Sequence, residues 1–122
     1  MDKYTLRLEL PMLPPRLNEF MRWHFHKRHK VYSEIYALVG YACTGKKPKK
    51  PLTKCTIHIE RHSNIFLDAD NFVASFKPII DGIVHAGILE DDSWKITGPI
   101  SHNQIHRPKK EGPLSVIVIE ER

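Results

Sequence analysis

No stretch of this chain approaches the roughly 20 consecutive apolar residues of a membrane-spanning helix. Cysteine is almost absent. Cys43 and Cys55 are the only two in 122 residues, with no Cys-x-x-Cys spacing, which excludes the disulfide framework of a small secreted domain. Both are read as small buried hydrophobes. The continuous apolar centre of a signal peptide is missing as well, because MDKYTLRLELP alternates apolar and polar residues. Together these features predict a cytoplasmic protein with no membrane partner. Acidic residues are scarce in the first half: residues 1–63 hold 5 Asp+Glu against 13 Lys+Arg, whereas residues 64–122 hold 9 against 6. Internal repeats and a domain boundary are lacking too.

What is present fits one globular domain over residues 1–122. A hydrophobic content of 41% is ordinary for a soluble fold, and the length suffices for a single core. The net charge of +5 is segregated. A basic surface beside an acidic pocket suits a polyanion held through its phosphates and a metal ion held at one point.

Periodicity predicts the elements. Residues 3–10 alternate as a strand stopped by Pro11, Pro14 and Pro15. Residues 16–30, RLNEFMRWHFHKRHK, have no clean period and read as a basic loop interleaved with aromatics. Tyr32, Ile35, Tyr36, Val39 and Cys43 then form one helical stripe, with Ser33 as a candidate N-cap. GKKPKKPLTK is a lysine-rich connector. Cys55, Ile57 and Ile59 mark a second strand. A helix is expected from about residue 70 to 86, kinked or broken at Pro78 and ended by Gly87. Residues 93–102 read as a third strand. Residues 114–119 read as a last, central strand, apolar on both faces. The fold class is α+β: a mixed sheet with helices packed on it, in the order β-α-β-α-β-β.

The chemistry concentrates between Leu67 and Asp92. In extended backbone Asp68 and Asp70 project to one side and can reach a common ion. Magnesium takes one or two carboxylates, with water and substrate phosphate completing its octahedron. Asp91 and Asp92 follow the helix and supply a third ligand if the fold returns them to its start. At about 100° per residue, Asp70, Lys77 and Asp81 share a stripe, which would set Lys77 over the metal to meet a phosphate oxygen. Bland readings compete: a solvated acidic loop, an N-cap at Asp70, or a surface pair of Lys77 with Asp81. An EF-hand is disfavoured, because Val73 and Ile79 stand where Gly and Glu are needed. Gly45-Lys46 lacks the remainder of a phosphate-binding loop. His24, His26 and His29 have no fourth zinc ligand nearby and read as part of a basic loop facing phosphate.

These residues resemble the RusA family of Holliday-junction resolvases. The family pattern is Asp-x-Asp-Asn, a lysine, an aspartate four residues on, then Gly and Asp-Asp. Here it reads Asp68-Ala69-Asp70-Asn71, Lys77, Asp81, Gly87 and Asp91-Asp92. Pro14, Pro15 and Asn18 are similar to the family's N-terminal segment. One departure is clear: the family lysine stands four residues after the second aspartate, and Lys77 stands seven after Asp70. Three extra residues are nearly one helical turn, which keeps the face; otherwise the lysine's function is shifted or lost.

The resemblance implies a homodimeric endonuclease that resolves four-way DNA junctions by paired nicks, using magnesium or manganese in its place. It implies Asp68, Asp70 and Asp92 as the metal carboxylates, Asp91 as substitute for Asp92, and Lys77 at the scissile phosphate. Arg22, Lys27, Arg28, Lys30, Lys46, Lys47, Lys49 and Lys50 are expected to contact DNA phosphates, and Trp23 and Phe25 are candidates to stack on exposed bases. A flap or fork nuclease with the same site, and a non-catalytic binder of branched or single-stranded DNA, are the competing classes.

Overall fold

The computed structural model describes residues 3–122; Met1 and Asp2 lie outside that range. Two strands follow directly from alternation and a third from a continuous apolar run. In β1 (Thr5–Leu10), Leu6, Leu8 and Leu10 are buried and the residues between them are exposed. In β2 (Cys55–Ser63), Cys55, Ile57 and Ile59 face the same core, while His58, Glu60 and His62 stand half-buried on the other face. In β4 (Leu114–Glu121), Ile117 and Ile119 point to the core and Val116 to the opposite side, where it is also buried.

The sheet order is β1-β4-β2-β3. β4 pairs antiparallel with both β1 and β2, so it is central as expected. β3 (Ser101–His106) pairs parallel with β2 at the edge, which makes the sheet mixed. The α+β class is therefore as predicted.

Helices cover one face. α1 (Leu17–Arg22) and α2 (Phe25–Ala42) precede β2, while α3 (Ala69–Ser75), α4 (Lys77–His85) and α5 (Trp94–Thr97) carry the chain across from β2 to β3. Ile35 and Val39 from α2 meet Phe72, Ile79 and Ile83 from α3 and α4 above the strand residues in one core. α2 and α4 approach closely because residue 82 is Gly: a Cβ there would lie 3.2 Å from the Cβ of Val39. Cys43 and Cys55 are both fully buried and free. No described helix is long and apolar enough to cross a membrane.

Several expectations need correction. Residues 16–30 are not a loop: α1 occupies most of the first part, and α2 begins at Phe25. His24 is the cap, its Nδ1 accepting from the His26 amide at 3.3 Å. Ser33 therefore lies within a helix, exposed, and caps nothing. α1 contains no fully buried residue, and its one short apolar stripe, Leu17, Phe20 and Met21, is too brief to set a period. Residues 93–102 are not one strand either. The Ser93 carbonyl accepts from the amides of Ile96 and Thr97, which makes a helical turn. Gly98, at φ +59°, then ends it before β3 begins.

Candidate functional site

The predicted helix over residues 70–86 is two helices. Phe76 closes α3 and opens α4, and Pro78 sits in the first turn of α4, where its missing amide costs nothing. The break thus falls before Lys77. Asp70 leaves the stripe it was expected to share, and Lys77 and Asp81 keep theirs. Lys77 Nζ donates to Asp81 Oδ1 at 2.9 Å across one helical turn. It also donates to Asp92 Oδ2 at 2.7 Å, so the chain does return from the end of α4 to its start.

That return has a visible cause. Gly87, at φ +88°, lets the chain reverse after α4. Ile88 and Glu90 then hydrogen-bond to both sides of Leu52, at 2.9 and 3.0 Å, which fixes the extended segment that leads to Asp91 and Asp92. Asp91 is exposed beside the cluster. The hydrogen bond from Lys77 holds the Asp92 carboxyl below the usual aspartate value. The same bonds, that to Asp92 first, push the Lys77 ammonium well above its ordinary value. Tyr32 of α2 reaches Asp81 Oδ2 at 3.5 Å, the outer limit of a hydrogen bond. Burial, and then the Asp81 charge, raise the pKa of both Tyr32 and Tyr36.

Asp68 and Asp70 stand at the start of α3, not in one extended segment as expected: Asp68 is extended but Asp70 is already helical, so the two-residue strand period does not set them on one face. Asp68 occupies the N-cap position in extended backbone, yet its carboxylate makes no capping hydrogen bond. Both residues are exposed, and neither side chain has an ion-pair or hydrogen-bond partner among the described residues. The loop that delivers them is held from three directions. Arg61 Nη1 donates to the Ile65 carbonyl at 2.6 Å, and Ser63 Oγ accepts from the Ile65 amide at 3.1 Å. Gln104 on β3 grips Leu67 on both sides, its Oε1 accepting from the amide at 2.8 Å and its Nε2 donating to the carbonyl at 2.7 Å. Arg61 and Gln104 were not legible as site residues, since no local spacing links them to Asp68.

Hard carboxylate oxygens without protein partners suit a cation such as magnesium, and Asp68 and Asp70 are the residues that would hold one. Among the described residues, however, no three His, Cys, Asp or Glu side chains converge on one point. Asp92 is instead engaged by Lys77. Its role as a third ligand would require exchanging that ion pair.

Next to Asp68 lies a cleft of about 550 Å³, bounded by Arg16, Asn18, Arg22 and Trp23 on one side and Asp68 and Asn71 on the other. The Pro-Pro-Arg-x-Asn segment and the Asp-x-Asp-Asn segment thus meet in space. Trp23 is not free on both faces, because Lys27 Nζ sits 4.1 Å from its ring centre.

Tyr32 meets Asp81 and Tyr36 stacks on His85 at 5.3 Å, so α2 and α4 advance in the same sense. The basic start of α2, with Arg28 and Lys30, therefore shares an end of the molecule with Lys77. Lys46, Lys47, Lys49 and Lys50, all exposed, follow the other end of α2. His24 and His26 stack on each other at 5.0 Å rather than gathering around a metal. No protein-family model matches this chain, and no characterised protein matches it in sequence.

Proposed function

We propose that the chain is a magnesium-dependent, structure-specific endonuclease acting on branched DNA, with the four-way junction as its substrate. The observations that carry this reading are the Lys77 ammonium held between Asp81 and Asp92 and, at the start of α3, two exposed carboxylates without a partner among the described residues. Exposed ion pairs add only about 0–1 kcal/mol to stability, so an ordered ammonium and free carboxylates are better explained by a ligand than by folding.

In this reading Asp68 and Asp70 bind the cation. When bound, it supplies Lewis-acid stabilisation of charge on the phosphoryl oxygens and lowers the pKa of water. Lys77, fully protonated at neutral pH, presents its positive charge where the phosphate must sit. Asp92 and Asp81 fix the Lys77 side chain in place, and Tyr32 closes the cluster toward α2. Arg22, Arg28 and Lys30 contact phosphates without reading sequence. The working unit is a twofold homodimer, because paired nicks require two copies of a site that occurs once per chain.

A synthetic mobile four-way junction incubated with the protein, with and without magnesium, tests this. Nicking that needs the ion, and that disappears in Asp70→Asn while junction binding is kept, is the expected result. Mixing wild-type chains with Asp70→Asn should give heterodimers that nick one strand and rarely resolve. Cleavage by Asp70→Asn at the wild-type rate would remove the metal assignment. Cleavage of flaps in preference to junctions would favour the flap or fork nuclease.

A further inference from the structure

A second cleft, of about 460 Å³, opens between α1 and the first half of α2. Its walls are Phe20, Phe25, Arg28, His29, Tyr32 and Tyr36, five of them ring side chains. Rings at a protein surface ordinarily bury themselves in one another. These partly do so: Phe20 and Tyr32 lie 5.6 Å apart, and Phe25 meets His29 edge-on at 5.3 Å. Even so, Phe25 keeps 50% of its surface exposed. The cleft is within the size range of small-molecule sites.

One polar atom is out of keeping with this apolar lining. Arg28 Nε is shielded from solvent and has no hydrogen-bond partner among the described residues. An unsatisfied buried donor costs about 1–3 kcal/mol, and a ligand acceptor recovers it once the Arg28 side chain turns its guanidinium into the cleft. The ligand that fits is flat, to lie between rings, and carries hydrogen-bond acceptors on its edge. It is also joined to negative charge, since Lys27 and Lys30 flank Arg28 on α2. The Tyr32 hydroxyl in the wall reaches Asp81, the partner of Lys77. The cleft therefore adjoins the candidate phosphate site.

We propose that this cleft is a nucleobase pocket. It takes one unstacked base of a DNA strand, which lies against Phe25 and accepts a hydrogen bond from Arg28, while the strand's phosphates run toward Lys77. The proposal rests on the nucleic-acid reading above and adds to it a base-binding step that phosphate contacts do not supply. It requires no particular base, because every base has a π face. Branch points, where bases are already unpaired, then become the cheapest places to bind, since unstacking costs least there.

The test compares a short oligothymidylate with an abasic sugar-phosphate strand of equal length and charge, titrated against the whole chain at low salt. Stacking contributes about 1–3 kcal/mol per base, which corresponds to about 5- to 150-fold in affinity. Wild-type protein should prefer the base-bearing strand by at least about 5-fold, within the range set by stacking. Phe25→Ala and Phe25→Leu should each bring that preference close to unity and leave abasic affinity unchanged. Because Phe25→Leu keeps an apolar side chain, loss of folding is separated from loss of the ring. Equal wild-type affinity for the two strands would overturn the pocket and leave phosphate binding standing. Preference retained in both variants would overturn it by placing the base elsewhere. Binding to neither strand would remove the nucleic-acid reading and this pocket with it. Binding of an oligoglutamate peptide that depends on Phe25 in the same way would reassign the cleft to acidic peptides and overturn the proposal.

Discussion

Lys77 is the side chain on which the site turns, and its position is electrostatically awkward. It opens α4, where the helix dipole disfavours a cation, so it depends on Asp81 and Asp92 for compensation. The signs of the two shifts define the pH window. The folded-state pKa of Asp92 is depressed, so its contribution is present above the ordinary aspartate value of 3.8 and is lost as pH falls through the lower folded value. That of Lys77 is raised, so its contribution is present below the ordinary lysine value of 10.5 and is lost only as pH rises through the higher folded one. Lys77 and Asp92 are thus both charged throughout the neutral range. Carboxyl-detected NMR titration should give Asp92 a midpoint below 3.8, and Lys77→Met should bring it back to that value or above. The effect on unfolding free energy should stay within about 1 kcal/mol, as for other exposed pairs. An Asp92 midpoint that ignores Lys77→Met would show that the ion pair does not form in solution.

At the scale of elements, the position of α4 against α2 decides whether Tyr32 can reach Asp81. Gly82 permits that approach. Gly82→Val places branched carbons where a single Cβ already lies 3.2 Å from Val39, and such overpacking costs about 1–3 kcal/mol. Urea unfolding should show that loss, and Val39→Ala should recover much of it in the double variant. Additive losses would mean that the two residues do not touch. The elements that were legible in the sequence are those whose burial is periodic or continuous. β1 and β2 alternate because one face of each packs on helices, β4 is a continuous apolar run because it is central and buried on both faces, and the Lys77–Asp81 pair follows from four-residue helical spacing. α1 and β3 were not legible for the opposite reason: α1 is a six-residue helix with no fully buried residue, and β3, as SHNQIH at a sheet edge, has no apolar alternation. The break at Phe76 was foreseen near Pro78 but misplaced, because proline is welcome in a first turn and the helix ends before it. Tyr32 with Asp81, and Gln104 with Leu67, are joined by tertiary packing across 49 and 37 residues, a distance that no local pattern encodes.

Across the whole molecule, the basic residues expected to contact DNA divide into two groups, one at Arg22 and the first turns of α2 and the other beyond its C-terminus, with most of the 18 residues of α2 between them. At 1.5 Å per residue that helix is about 27 Å long, which is close to the rise of about eight base pairs of DNA at 3.4 Å per step. Arg22, Arg28 and Lys30 stand at the Lys77 end, while Lys46, Lys47, Lys49 and Lys50 stand at the other. A ligand must therefore be long to touch both groups. Each phosphate contact contributes about 0.9 to the slope of log affinity against log salt on duplex DNA, and about 0.7 on single strands. Replacing the four connector lysines by Ala should flatten the slope on a four-way junction by about one unit per lost contact, and should leave it unchanged on an oligonucleotide of about three residues, too short to span both groups. Replacing Arg22, Arg28 and Lys30 should flatten the slope on both ligands. Lys27 should matter less than its neighbours, because its ammonium already rests over the Trp23 ring. Flattening by the connector variant on the short strand would mean that DNA does not enter at the Lys77 end. An unchanged slope on the junction would mean that the connector only solvates a loop, and the DNA path would then be confined to α1, the start of α2 and the carboxylate site.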